Sequence, residues 1–425
     1  MGYSFKLLLQ KNLLRIRTVS ITLLDMLLYV ILPAPRLDTS SSTDKKVILF
    51  LGDSLQARIP RLAKWLNRTG EFDCMLMVAR GKGFSIFDTE TFSKTFTFRS
   101  RWDLRRQLKG LEQVYVIHAF TMPSYQIRLA IEKTDLPVIM DIQDMHVSYF
   151  GLNSPKLYMR LDMPDESYSI SHSDGIVSHS IELYNACQEY QITNRPPTLM
   201  FPVYCDDDHL LTPASIPSMD EIHIVYAGSI AGSFQDDQHF GSLKFFRVIE
   251  AFSKQKVHLH IYPSPTMRFR DLILSEYQAI SDENPYFHLH ESVPQKELAE
   301  ALTTYHFGLL PFFLEDTSRS ANKLGRGSSQ KLYNYIESGI PVIISEDLAF
   351  QSWMAQRYGA GLEITKPDLL QIRELIEKIA YADMREELLE KRAKISLSTH
   401  IPRLTAFYHR IHEKALQNQQ IGTNA

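Results

Sequence analysis

The stretch Ser328-Ser329-Gln330-Lys331-Leu332-Tyr333-Asn334-Tyr335-Ile336-Glu337-Ser338-Gly339-Ile340-Pro341-Val342-Ile343-Ile344 decides how this chain is read. Serine caps a helix well, Gly339 can end it in the left-handed conformation, and Pro341 opens an apolar strand. With Phe307-Gly308-Leu309-Leu310-Pro311-Phe312 ahead of it, the order is strand, loop, helix, strand. In a parallel sheet such a helix starts at the carboxyl ends of the strands, where ligands bind. Its unsatisfied N–H groups and macrodipole attract an anion, and Lys331 adds a full positive charge in the first turn. An ordinary amphipathic helix before a strand would share the pattern, but a lysine there opposes the dipole. A bound diphosphate would give that lysine a purpose.

The segment resembles the nucleotide-sugar-binding helix of GT-B-fold glycosyltransferases, above all the retaining, glycosyltransferase family 4-like group that builds bacterial surface polysaccharides. The resemblance implies that Lys331 holds the donor diphosphate. Lys331, Gly339 and Pro341 match the pattern. The usual ribose-binding glutamate three residues after the lysine is Asn334 here, and no Glu-x7-Glu pair spans the region. Glu337, one turn further along, joins Asn334 as a donor-binding candidate.

Outward from this point, apolar runs alternate with helix-period segments. Strands are expected at Val47–Leu51, Phe72–Val78, Val114–Ile117, Val138–Ile142, Gly175–Ser178 and Thr198–Phe201, with helices near Ile59–Asn67, Arg101–Lys109, Pro123–Lys133 and Ile181–Tyr190. The pattern restarts with Ile222–Ala227, Val257–Tyr262, Phe287–Leu289, Phe307–Leu310, Val342–Ile344 and Gly361–Ile364. This alternation predicts an α/β protein of two Rossmann-like, doubly wound parallel-sheet domains. The expected domains are residues 45–205 for the acceptor and 220–400 for the nucleotide sugar, facing a central cleft. A C-terminal helix in 401–425 is expected to cross back to the first domain, as the resemblance implies. The Pro- and Asp-containing stretch 206–218 reads as a linker, and Asp206-Asp207-Asp208 within it as a solvated turn rather than a metal site.

The second half opens with Val225-Tyr226-Ala227-Gly228-Ser229-Ile230-Ala231-Gly232-Ser233. A strand running into a glycine loop lets backbone amides approach a phosphate. The segment resembles the family's Tyr-x-Gly donor loop, which makes Gly228 and Ser229 donor-binding candidates. The basic residue that often follows is absent, so charge is sought in Arg319, Lys323 and Arg326, in what reads as a long loop before Lys331. Glu291 replaces a glycine of the base-binding loop and is the candidate there. In the first half, Gly52 and Asp53 follow the opening strand and form the acceptor side. His118, in Val116-Ile117-His118-Ala119-Phe120, resembles the first member of a strand-ending His-x-His. Asp144 resembles the acidic member of a His-Asp or Arg-Asp pair, with Gln143 in the basic place. Lys331, Asp144 and His118 are therefore the catalytic candidates. In retaining relatives the leaving diphosphate takes the acceptor proton, which leaves Lys331 and the helix dipole to stabilise the leaving group.

Composition narrows the rest. A chain of 425 residues, 44% hydrophobic and 22% charged, is globular and has room for two domains. A net charge of -3 points away from nucleic acid. Three scattered cysteines read as reduced core residues, and Asn67-Arg68-Thr69 as a chance sequon. The first 36 residues differ. Lys6, Lys11, Arg15 and Arg17 precede a 14-residue apolar run, Val19 to Leu32, interrupted by Asp25. As a helix it would reach about 21 Å, against a hydrocarbon core of roughly 30 Å. The segment therefore reads as an interfacial helix on an anionic cytoplasmic leaflet, with packing on the protein's own surface as the alternative.

The expected activity is that of a membrane-associated glycosyltransferase. It moves a sugar from a nucleotide-diphosphate donor to a glycan or lipid-linked acceptor, on the inner face of the cell membrane. No metal or other cofactor is expected. The rival readings are a catalytically silent glycan-binding or scaffold protein of the same fold, and a UDP-sugar 2-epimerase.

Overall fold

A computed structural model of the chain describes residues 23–31, 33–41, 44–54, 58–81, 90–213, 218–317 and 321–423. The basic residues before position 18 and Arg319 lie outside the described residues. The first domain holds a seven-stranded sheet of order β3-β2-β1-β4-β5-β6-β7. Its strands are β1 (Lys46–Gly52), β2 (Phe72–Ala79), β3 (Thr95–Phe98), β4 (Val114–Phe120), β5 (Val138–Ile142), β6 (Gly175–Ser178) and β7 (Thr198–Met200). The second holds six strands, β8 (His223–Gly228), β9 (His258–Pro263), β10 (Phe287–Leu289), β11 (Phe307–Leu310), β12 (Val342–Ser345) and β13 (Gly361–Ile364), in the order β10-β9-β8-β11-β12-β13. All pairings are parallel.

Parallel strands need both faces covered, which is why β1 and β2 read as near-continuous apolar runs. Residues 47–52 and all of β2 are buried. Strand order reverses between β1 and β4 in the first sheet and between β8 and β11 in the second. At such switch points the connections leave in opposite directions and open a crevice at the carboxyl ends of the strands.

The long helix Leu397–Thr423 leaves the second domain and packs on the first. Tyr408 hydrogen-bonds the ring of His118, at 2.7 Å, and His409 meets Tyr115, at 2.9 Å. Gly175 makes room for it: a Cβ there would lie 2.9 Å from Ile411 and Phe407.

Two readings of the ends and linkers change. Asp206-Asp207-Asp208 is solvated only in part, with Asp208 exposed and Asp207 half-buried. Asp206 is buried against Lys64 and Trp65, Asp208 pairs with Lys64 and Arg68, and Asp207 accepts from Ser398. The linker is thereby latched to the first-domain helix Arg58–Arg68. The helix over 23–31 docks by its polar side: Asp25 is buried and bonded to Arg99 and Ser100, both at 2.6 Å, and Tyr29 packs on Trp102. Leu23, Leu24, Leu27, Val30 and Ile31 remain exposed. Among the described residues no helix is long and apolar enough to cross a membrane.

Candidate nucleotide-sugar cleft

Lys331 lies in the first turn of the helix Gln330–Glu337, whose cap is Ser329: its hydroxyl accepts from the Lys331 N–H at 3.3 Å. The helix ends as its sequence predicts, with Gly339 at φ +68°. Tyr335 fixes its height. Its hydroxyl donates to the Leu309 carbonyl, at 3.3 Å, and accepts from the Ala227 N–H, at 3.1 Å. A single side chain thus ties the helix to β8 and β11, the two strands that flank the switch point. The ring lies flat on β11, where a Cβ on Gly308 would come within 2.2 Å of it.

One turn before Tyr335, the Lys331 side chain crosses the end of β8. A Cβ on Gly228 would lie 2.3 Å from Lys331 Cε and 2.9 Å from the Tyr226 hydroxyl. Only glycine allows this approach, and its φ of +156° is also one that other residues rarely adopt. The Lys331 ammonium sits 5.7 Å from the Phe312 ring centre and 6.0 Å from that of Tyr226. The sequence separates Gly228 and Lys331 by 103 positions; the fold brings them into contact in the crevice. A helix terminus, a glycine loop and an ammonium at a switch point can neutralise a diphosphate.

The other sequence candidates divide. Ser229 is exposed beside Gly228. Asn334 is buried on the same helix and accepts from Gln330, at 3.2 Å. Glu291 is exposed beyond β10, in an open depression with Arg270, His290 and Ser292. Glu337 needs correcting as a donor contact. It is 1% exposed, forms a two-pronged ion pair with Arg61 of the first domain, and accepts the Asp206 N–H at 2.8 Å. Its lone pairs are used in joining the domains.

His118 also needs correcting. Its ring is fully buried, with Nδ1 on Tyr408 and Nε2 on Asp141, at 2.8 Å. Asp141 is also held by Arg58, at 3.3 Å. Burial alone would raise the Asp141 carboxyl, but Arg58 and His118 outweigh it and keep it low. His118 is a satisfied core histidine with no exposed atom for an acceptor.

Asp144 does reach the cleft, where it meets the second domain. Lys323 lies not in a loop but on the short helix Ala321–Arg326, and its ammonium bridges Asp144 and Glu182, the latter at 2.8 Å. It also lies over the Tyr149 ring, at 4.7 Å. Arg326 of the same helix donates to Asn185, at 3.2 Å. These two cations therefore engage the first domain. Burial pushes the Glu182 carboxyl up to about 7, which Lys323 only partly offsets. Burial also opposes ionisation of Asp144, but there Lys323 wins and the carboxyl stays low. Glu182 is itself fully buried, so its carboxyl serves the ion pair that joins the two domains. Glu182 carried no sequence signal, because a glutamate at a helix start is ordinary. Gln143 is a second residue of interest: it is buried and its amide has no hydrogen-bond partner among the described residues. Gly52 is buried against Ile59, and Asp53 is half-buried near Tyr125, whose hydroxyl is raised by burial and then by Asp53.

A cavity of about 670 Å³ lies to one side, among Ser233, Lys244, Arg247, Phe313, Asp316 and Lys366. Its lysines are spoken for: Lys244 binds Ser233, Gln235 and Asp237, and Lys366 binds Glu315 and Asp316. The Gly228–Lys331 contact, at the switch point and a helix N-terminus, is the better anion site.

Two parallel-sheet α/β domains facing a cleft define the GT-B class of architecture, and solved structures agree. Sucrose-phosphate synthase from Thermosynechococcus elongatus superposes with a TM-score of 0.60 at 12% identity, over 87% of this chain and 100% of that one. Anabaena HepE in complex with UDP and glucose gives 0.57 at 10% identity, over 85% and 98%. S. aureus MnaA with UDP gives 0.52 at 11% identity, over 86% and 97%. At such identities the likeness is one of fold. Residues 239–401 match the family described as glucosyltransferase 3-like, C-terminal domain. No curated protein matches the chain.

Proposed function

We propose that the protein is a glycosyltransferase that moves a sugar from a nucleotide-diphosphate donor to a glycan or lipid-linked acceptor, with retention and without a catalytic metal. The observation that carries this reading is the contact of Lys331 with Gly228 at the β8/β11 switch point. The match of residues 239–401 to the glucosyltransferase 3-like family supports it. So does the fold shared with HepE and MnaA, whose structures hold UDP.

In the reaction, the bond from the anomeric carbon to the diphosphate oxygen breaks and its electron pair leaves with the diphosphate. An acceptor oxygen bonds to that carbon and its proton passes to the departing phosphate oxygen. Lys331 and the N–H groups of its helix stabilise the growing negative charge. Asp144, Gln143 and Asp53 line the acceptor side.

The acceptor reaches the protein at a membrane surface, on the cytoplasmic side. Support comes from the helix over 23–31, which is anchored by Asp25 and leaves six apolar side chains exposed, Met26 among them. Leu152, Leu157, Tyr158 and Leu161 are also exposed, around the start of the helix Leu157–His172.

Incubation with a panel of nucleotide sugars, following nucleotide release and thermal stabilisation, tests the reading. Release with transfer to an acceptor supports it. Stabilisation without any turnover favours a silent binding protein, a reading to which Asn334 in place of glutamate lends weight.

A further inference from the structure

Six histidines gather on the second sheet: His223 on β8, His258 and His260 on β9, His288 on β10, His290 just after it and His306 just before β11. They form hydrogen-bonded pairs. His223 Nδ1 meets His260 Nε2, His258 Nδ1 meets His288 Nε2, and His260 Nδ1 meets His290 Nε2, each at 2.9 Å. His223 and His258 stand directly opposite in register, with rings 4.4 Å apart and nearly parallel. With Nδ1 engaged, each keeps Nε2 for another partner. Glu221, exposed just before β8, places a carboxylate oxygen 3.7 Å from His223 Nε2. One ligand atom from each of Glu221, His223 and His258 lies within 4.8 Å of the others.

We propose that Glu221, His223 and His258 bind one divalent transition-metal ion of the zinc type, at the amino-terminal edge of the second sheet. Two imidazoles and a carboxylate form a ligand set that zinc accepts, with water in a fourth position. Nitrogen donors disfavour calcium and magnesium. A metal on Nε2 requires the ring proton on Nδ1. In both rings that proton has an acceptor in place, His260 for His223 and His288 for His258. Such outer partners fix tautomer and orientation.

The ion is not part of the transfer site. His223 opens β8 and Gly228 closes it, a separation of roughly 16 Å along the strand. The ion instead ties the end of the interdomain linker to β9 and stabilises the folded state by mass action. The proposal is thus independent of the glycosyltransferase reading.

The test is titration of the untagged full chain with Zn2+, by calorimetry and by melting temperature, and with Co2+ by visible absorption. One ion per chain is expected, with a rise in melting temperature and a tetrahedral Co2+ spectrum. His258→Gln should abolish the spectrum, and the outer-partner change His288→Gln should weaken binding about tenfold or more. Glu221→Gln alters an exposed side chain that the fold does not need, and it should weaken binding as well. Failure of the wild-type chain to take up Zn2+ overturns the proposal. Uptake that is unchanged in both His258→Gln and Glu221→Gln overturns it too.

Discussion

Lys331 reaches Gly228 because Tyr335, one helical turn further on, is held between two strands. Gly228→Ala would push a methyl group into Lys331 Cε and the Tyr226 hydroxyl. The backbone at φ +156° is strained for alanine and the melting temperature should fall, and the displaced ammonium should also lose the position proposed for it at the leaving group. A hydrogen bond to a charged group contributes about 1.5–3 kcal/mol, so turnover should fall at least about tenfold. Wild-type turnover in Gly228→Ala would show that this approach does not matter. At the same scale, His179 is buried beside Arg58 and donates from Nδ1 to the Ile142 carbonyl. Burial first, and Arg58 second, lower its pKa from 6.5 to about 4. The unfolded chain therefore takes up the proton first. The stabilisation is full above pH 6.5 and is lost as pH falls towards 4, amounting to about 3 kcal/mol at most. Urea unfolding at pH 7.5 and pH 5 should show a smaller acid loss in His179→Gln than in wild type. Parallel losses would contradict this account.

At the scale of elements, every strand expected from apolar runs is present, each within a residue of its expected ends except β4, which runs three residues past Ile117 to Phe120, because a doubly covered sheet leaves little doubt in its sequence. The missed strand, β3, is a short edge strand reading Thr-Phe-Thr-Phe, with its outer residues exposed. Among the helices not read from the sequence, Leu157–His172 contains Pro164, and Glu166 interrupts its line of Met159, Met163 and Ile170. Its buried face mixes these apolar side chains with carboxylates: Asp162 accepts from the Ser124 N–H, and Glu166 from the N–H groups of His146 and Val147. These carboxylates serve the ends of other elements, which no periodicity can reveal. Gly339 was legible as a helix stop, and Lys331 stood out as a candidate because a cation in the first turn opposes its own helix dipole. Glu337 and His118 misled because a buried ion pair or core histidine looks the same in sequence as a site residue. The helix over 23–31 gives a separate test. Leu27→Asp with Ile31→Asp should abolish co-sedimentation with anionic vesicles and leave the fold intact, since both side chains are exposed. Undiminished binding would locate the membrane contact elsewhere.

Across the whole molecule, the domains are held together by buried charge: Arg61 with Glu337, and Lys323 with Asp144 and Glu182. Glu337→Ala strands a buried guanidinium and should cost about 3–5 kcal/mol, whereas leucine at both 61 and 337 should recover much of that. Equal stability of Glu337→Ala and wild type in urea would return Glu337 to the list of donor contacts. Chelation separates the two ends of the second sheet. On the proposed reading, in which Lys331 and a helix terminus would act on the diphosphate, EDTA should leave sugar transfer largely intact and should lower only the melting temperature, through Glu221, His223 and His258. Abolished transfer, restored by magnesium or manganese, would mean that the leaving group needs a metal. The central claim is that Lys331 acts on the diphosphate of a nucleotide sugar. It is tested most directly by comparing nucleotide release by wild type and Lys331→Ala across a panel of nucleotide sugars. The account predicts release by wild type, a loss of at least about tenfold in the variant, and the same melting temperature without ligand. Equal release by both proteins would contradict it.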